Sequence, residues 1–286
     1  KVSHFGKNGD LCYALPVLRA LHRITGRKIH LITSGACWQF VPLLWEQPYF
    51  QDVELEDTKA HEIVPIPRGA IFPHWEWFKS GEGLNLSLQP SYFTDDAPVP
   101  WTNCYMRAAG VTELLTSDCV ALPSLVNHRR WLRGITVELD GKPQTSPKTI
   151  IVAPECESLD ELFPWIWQTI IDDIREAGFV PIIVGTRRTP EYPAGNRPDS
   201  PPCTDLRGLT SVPVLARLIA ESRGFIGAHS FPWHLARHSE TPAICLQTWR
   251  EGLRRCLPVD TTYTWLDAKD WRQAVPALLG QTVLQG

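Results

Sequence analysis

Apolar positions along the chain fall into two successive series of short apolar runs and amphipathic stretches. The first run, Val2-Ser3-His4-Phe5, leads into Gly6-Lys7-Asn8-Gly9-Asp10 and then into apolar positions at Leu11, Leu15, Leu18 and Leu21. Spacing of three and four residues marks one face of a helix. A strand, a Gly-rich loop and a helix reaching Thr25 are therefore predicted. Further strands are predicted at 28–33, 52–55, 61–67 and 84–88, and a short helix at 36–45. A helix at 100–109 is stopped by Gly110 as a C′ glycine. The aromatic, Gly/Pro-containing residues 68–83 read as a loop.

A second series begins after Gly141-Lys142-Pro143-Gln144-Thr145-Ser146-Pro147, a linker signal that places a domain boundary between 145 and 146. A buried-type strand is predicted at 149–153, a helix at 165–177 stopped by Gly178, and a strand at 180–184. A Pro-rich loop at 189–203 precedes a helix at 212–221, a strand at 224–227, a helix at 232–238, a strand at 243–246 and a last helix at 270–279. The reading is α/β: two doubly wound, Rossmann-like parallel-sheet domains, 1–145 and 146–286, facing a cleft lined by strand C-terminal ends.

Composition narrows the chemistry. Over 286 residues the formal net charge is −3, with no basic block, so the footprint of a nucleic-acid-binding protein is missing. Hydrophobic residues make up 43% and the mean hydropathy is −0.15, as in a globular chain. No apolar run approaches the length that spans a bilayer. A chain opening inside a strand at Lys1, without a signal-peptide pattern, reads as cytoplasmic and as having lost a few leading residues. Eight cysteines, each isolated, read as reduced thiols. Nine histidines form no metal-binding pair, so neither a metal nor a cofactor is expected. The twelve tryptophans serve either as platforms for sugars and bases or as packing.

Two places carry candidate chemistry. In Gly227-Ala228-His229-Ser230-Phe231-Pro232-Trp233-His234 a strand feeds a helix through a short turn. The helix N-terminus would present free N–H groups and the positive dipole end to a phosphate. The alternative is an ordinary βα connection with Ser230 as N-cap. In the first loop, Gly6 and Gly9 permit positive φ and close approach of a ligand. Asp10 stands at the C-terminal end of a strand, where open α/β sheets bind ligands. Its alternative is a capping carboxylate.

The two motifs together resemble glycosyltransferase family 9, the bacterial heptosyltransferases of GT-B fold. The resemblance rests on Gly9-Asp10 with Leu15-Pro16 and Leu21, on Asp205-Leu206-Arg207-Gly208-Leu209-Thr210-Ser211, and on Gly227-Ala228-His229-Ser230-Phe231-Pro232-Trp233-His234-Leu235-Ala236. It implies metal-independent transfer of a sugar, heptose by analogy, from a nucleotide diphosphate sugar (an ADP-sugar by the same analogy) to an acceptor hydroxyl. Asp10 would be the general base, with Gly6, Lys7, Asn8 and Gly9 near the acceptor. The diphosphate would lie against His229, Ser230, Phe231, Trp233 and His234.

The chain departs from the family's pattern at three points. His229 stands in place of an acid and Phe231 in place of a small glycine. The Lys-x-Trp after the first strand of the second domain is missing from Ala153-Pro154-Glu155-Cys156. Arg187 or Arg188 would supply the missing charge, or they form a solvated pair. Glu191 falls near where a carboxylate would hold the ribose. The implied acceptor is a glycan, a lipopolysaccharide core or a protein side chain. The aromatic residues 71–78 read as an acceptor platform, a peripheral contact at the inner membrane face, or local packing. Three readings stay open: an active transferase, a non-catalytic nucleotide-sugar-binding or assembly partner, and another two-domain enzyme such as a sugar epimerase.

Overall fold

The computed structural model describes residues 1–45, 47–56, 83–87, 101–115, 138–139, 142–143, 148–156, 162–186, 204–239, 241–247 and 264–284. The predicted strand at 61–67, the aromatic residues 71–78, the Pro-rich loop, and Arg187, Arg188 and Glu191 lie outside them. The described residues fall into two compact units, one within Lys1–Ser124, the other within Leu125–Arg250 and Thr261–Gly286.

The first unit runs β1 (Val2–His4), α1 (Asn8–Thr25), β2 (Ile29–Ser34), a 3-10 turn (Gly35–Cys37), α2 (Val41–Trp45), β3 (Phe50–Glu56), β4 (Leu84–Asn85) and α3 (Trp101–Ala109). Its sheet has the order β3-β2-β1-β4. All of its pairings are parallel, with Val2 opposite both Leu31 and Leu84. Helix α1 buries Leu11 through Leu18 without a break, passes through Pro16, and ends on Gly26 at φ 66°. A helix buried on most of its faces tolerates an internal proline because packing offsets the lost backbone bond. α3 packs against α1 and contributes the buried Tyr105.

The second unit begins with a small antiparallel hairpin of β5 (Glu138–Leu139) and β6 (Lys142–Pro143). It continues with β7 (Thr149–Ala153), α4 (Pro164–Glu176), β8 (Val180–Ile183), β9 (Thr204–Asp205), α5 (Val212–Ala220) and β10 (Gly224–Ala228). The last elements are α6 (Phe231–His238), β11 (Ala243–Gln247), β12 (Thr264–Asp267), a 3-10 helix (Ala268–Gln273) and α7 (Ala274–Leu284). The sheet order is β12-β11-β10-β7-β8-β9, again parallel throughout. Its core joins Ile150 and Val152 of β7, Ile226 of β10 and Ile244 of β11 to Ile166, Trp167, Ile170 and Ile174 of α4. Gly227 has to be glycine: a Cβ there would stand 2.6 Å from the Phe225 ring and 2.9 Å from the Ala153 carbonyl oxygen.

In both sheets the chain winds one way and then returns to the other side of its first strand. The reversal lies between β1 and β4 in the first unit, and between β7 and β10 in the second. Ligands of open α/β sheets bind beyond the strand C-termini at such a reversal. The two candidate motifs follow β1 and β10, so each sits at the reversal of its own sheet.

Candidate functional site

At the first reversal the backbone is tied across strands before any functional group is placed. The Thr33 hydroxyl donates to the His4 carbonyl at 2.8 Å, and the Phe5 N–H donates to the Ser87 hydroxyl at 3.2 Å. The chain then enters α1 with Lys7 as the N-cap and Asp10 at the third helical position. The expected glycine loop is thus shorter than predicted. Asn8, Gly9 and Asp10 already form the first helical turn, because the Asp10 Oδ2 accepts the Lys7 N–H at 2.9 Å and satisfies one donor that a helix start leaves open. Neither Gly6 nor Gly9 uses the positive φ that glycine permits. Gly6 serves close approach instead: a Cβ there would stand 2.7 Å from both the Asp10 Cβ and the His4 Cε1.

Asp10 is half-buried, and desolvation pushes its carboxyl up to about 6, against the opposing pull of the Lys7 amide and ammonium. Oδ2 is anchored; Oδ1 takes no hydrogen bond from any described residue. Asn8 Oδ1 is also buried with no partner among the described residues. Cys37, in the turn after β2, donates its thiol to the Gly6 carbonyl at 3.5 Å. Burial pushes that thiol up to about 11, and the Asp10 charge adds to the rise. Cys37 is therefore a protonated donor and not a nucleophile.

The second reversal brings the start of α6 beside the end of β7. Ser230 is the N-cap, extended at φ −145° and ψ 174°, yet its hydroxyl does not cap. It donates to the Ala228 carbonyl at 3.3 Å. The Trp233 and His234 amides both point to the Ser230 carbonyl, at 3.0 and 3.4 Å, and Pro232 has no N–H. Trp233 and His234 are buried. Their rings meet at 5.0 Å, and His229 joins them at 5.3 and 5.2 Å. Half-buried His229, Ser230, Phe231 and Pro232 form the accessible part of the motif. Burial, helped by the Arg237 guanidinium, lowers His229 to about 4 and so keeps it a neutral imidazole near pH 7. The Cys156 thiol donates to the His229 carbonyl at 2.9 Å and ties the ends of β7 and β10 together.

Sequence reasoning missed a buried ionic cluster at the neighbouring strand ends. Arg207 is fully buried. Its guanidinium donates to Asp205 from Nε at 3.0 Å and from Nη2 at 2.7 Å, and to Glu155 from Nη1 at 3.4 Å. The other Glu155 oxygen accepts the Thr186 amide and, at 2.8 Å, its hydroxyl. Gly185, at φ 149°, passes so close that a Cβ would stand 2.7 Å from that oxygen. Glu155 occupies the region where the resemblance implied a phosphate-binding lysine. It faces inward, its charge met by Arg207. The available signal was Asp205 two residues before Arg207 in the quoted motif. Among the described residues no group of three or more His, Cys, Asp or Glu is arranged to hold a metal ion.

Neither a family model nor a curated protein matches the sequence. The glycosyl transferase family 9 structure from Veillonella parvula matches 97% of this chain and 88% of its own, at 12% identity and a TM-score of 0.62. The Escherichia coli ADP-heptose lipopolysaccharide heptosyltransferase II matches 100% and 99%, at 14% identity and a TM-score of 0.65. The E. coli heptosyltransferase WaaC with ADP matches 98% and 99%, at 9% identity and a TM-score of 0.62. The fold is that of the family 9 glycosyltransferases. At these identities the likeness is one of architecture, GT-B in type, and it extends along nearly the whole chain. No helix among the described residues is long and apolar enough to cross a membrane.

Proposed function

We propose that this chain is a glycosyltransferase that moves a sugar from a nucleotide diphosphate sugar to an acceptor hydroxyl, with Asp10 as general base. The observation that carries the reading is Asp10 itself, a half-buried carboxylate at a sheet reversal, raised to about 6, with one oxygen anchored and the other without a partner among the described residues. A base that titrates near 6 is ionised at neutral pH yet accepts a proton more readily than an ordinary carboxylate. In the reaction the acceptor O–H gives its proton to Asp10, its oxygen bonds to the anomeric carbon, and the bond from that carbon to the diphosphate breaks. The electron pair leaves with the nucleoside diphosphate. The start of α6 would hold that leaving group through its dipole and the groups around His229, Ser230 and Phe231, without a metal.

E. coli heptosyltransferase II is an ADP-heptose enzyme, and the WaaC structure holds ADP, which makes an ADP-sugar the first donor to test. A second reading is a binding partner with an altered donor site. It draws on Glu155, whose side chain is taken up by Arg207 and Thr186, and on the neutral His229.

The test is a thermal-shift panel of nucleoside diphosphates and their sugar conjugates, with and without Mg²⁺, on wild type and Asp10→Asn. A ligand at a hundredfold excess over Kd stabilises by about 2.7 kcal/mol. A metal-independent shift with one nucleoside diphosphate, retained in Asp10→Asn while transfer disappears, supports the transferase. A shift in both proteins with no transfer by either supports the binding partner. Absence of any shift refutes the donor site at α6.

A further inference from the structure

Behind Asp10 stands a histidine for which the proposed reaction has no use. His4 ends β1, is fully buried, and holds its Nε2 at 3.1 Å from the Tyr105 hydroxyl on α3. The two rings are tilted by 55° with centroids 5.5 Å apart. The imidazole edge and the Asp10 side chain press on one point: a Cβ on Gly6 would stand 2.7 Å from His4 Cε1, 2.7 Å from Asp10 Cβ and 3.1 Å from Asp10 Oδ2. His4 Nδ1 is buried and has no partner among the described residues. Fixing a ring in this way leaves a polar atom unsatisfied, which carries a free-energy cost.

We propose that His4 is the positioning residue for Asp10: the Tyr105 hydroxyl fixes the imidazole, and the imidazole edge with Gly6 forms a dry wall that sets the orientation of the carboxylate and shields its back from water. The proposal rests on the reading of Asp10 as the base. Each group around Asp10 fits it. Burial lowers His4 to about 4, so at neutral pH the wall is an uncharged ring and cannot act as a counter-ion. Cys37, across Gly6 on the turn after β2, is protonated. Lys7, on the entering loop, is the cation that opposes the rise of Asp10. What keeps the carboxyl high is desolvation, and the proposal assigns the dry side of Asp10 to the Tyr105–His4–Gly6 stack.

The test is a carbon-13 NMR titration of the Asp10 carboxyl in the full chain, with the resonance assigned by its loss in Asp10→Asn. Wild type should titrate near 6. Tyr105→Phe removes one hydroxyl from the buried stack, and His4→Gln removes the ring. Each should move the midpoint down by about one pH unit or more as water reaches the carboxylate. The acidic limb of kcat should move with it, while the donor KM holds. A midpoint that stays in place in a folded Tyr105→Phe protein overturns the proposal, whether or not His4→Gln folds. A purely structural His4 would lower Tm and leave both the midpoint and the limb where they are. The titration needs no substrate. A protein that fails to bind any nucleotide yet shows the shifted midpoint loses the transferase reading and keeps the wall.

Discussion

Replacing Arg207 with Met should cost the second unit about 3 kcal/mol, near the lower end of the range for breaking a buried ion pair from one side. The reasoning starts from the side chains left behind. Arg207 is completely buried, with Glu155 at 6% side-chain exposure and Asp205 at 21%. Asp205, partly hydrated, would keep the Arg207 backbone amide at 3.0 Å. Glu155 would keep the Thr186 amide and hydroxyl but lose the Arg207 guanidinium. The loss therefore comes mainly from Glu155, the more deeply buried of the two carboxylates that lose the guanidinium. At about 2–4 °C per kcal/mol for a unit of this size, the fall in Tm is roughly 6–12 °C. The assay is a far-UV circular dichroism melt of wild type, Arg207→Met, Glu155→Leu and the double variant. Removing both charges should recover part of the loss, because an apolar pair of similar volume is tolerated where a lone charge is not. Strictly additive single losses, or a fall of less than about 2 °C for Arg207→Met, would show that the carboxylates are hydrated and the argument wrong.

Asp10→Asn should abolish transfer, a loss of at least about a hundredfold for a general base, and leave nucleoside diphosphate binding intact. Its stability relative to wild type should rise with pH. The folded-state carboxyl is raised to about 6, so the Asp10 contribution to wild-type stability, present below about 4, is lost as pH climbs through 6, whereas the asparagine does not titrate; the difference in urea midpoint between the two proteins across that window tests the sign. Acid should destabilise wild type through its histidines. His4 and His229 are lowered to about 4, so the stability that their neutral forms provide is complete above about 6.5 and lost as pH falls toward 4; a urea series that is flat from 7 to 4 would refute this. Gly6→Ala should cost about 1–3 kcal/mol by overpacking, since the added Cβ meets the His4 ring and the Asp10 Cβ at 2.7 Å. Transfer should fall while nucleotide binding holds, and a Gly6→Ala protein of wild-type activity would disprove the close packing at this point.

What the sequence disclosed follows from where its signals are strong. β1, β7, β10 and β11 are short apolar runs bounded by polar or Gly/Pro residues, and all four lie within a residue or two of their predicted limits. Gly110 and Gly178 stop their helices at φ 67° and 83° as expected. The start of α1 was misread because two glycines and an asparagine read as a loop. Asp10 three residues after Lys7 is the acidic half of a capping box, but a lysine at the cap hides it. β9 and β12 are two and four residues long, too short for any periodicity to register. The rings of Trp233 and His234 were read as ligand contacts from their place beside Ser230. In a helix buried continuously from Trp233 to His238 they turn into the core instead. Arg207 was hidden for a more basic reason. Local sequence does not reveal that a charge is buried; that depends on Glu155, 52 positions away in the chain.

The two helix starts at the sheet reversals differ in charge, and this difference bears on what each could do. α1 carries Asp10 in its first turn, and the Asp10 carboxylate already takes the Lys7 amide. Its positive end is thus partly used by the protein's own anion. α6 has no acidic residue in its first turn, and the residue before its cap, His229, is a neutral imidazole. Replacing an acid with such a ring removes a charge that would repel a phosphate, and Glu155, two residues beyond β7, is turned inward onto Arg207. The dipole of α6 is therefore not opposed by an acid of its own first turn. A leaving diphosphate gains most from a positive end that is preorganised and not already neutralised, and a base gains most from an anion kept dry and short of partners. The first unit satisfies the second condition and the second unit the first. Exchanging the two local chemistries, with Ser230→Asp at one start and Asp10→Ser at the other, should abolish nucleotide binding in the first case and transfer alone in the second.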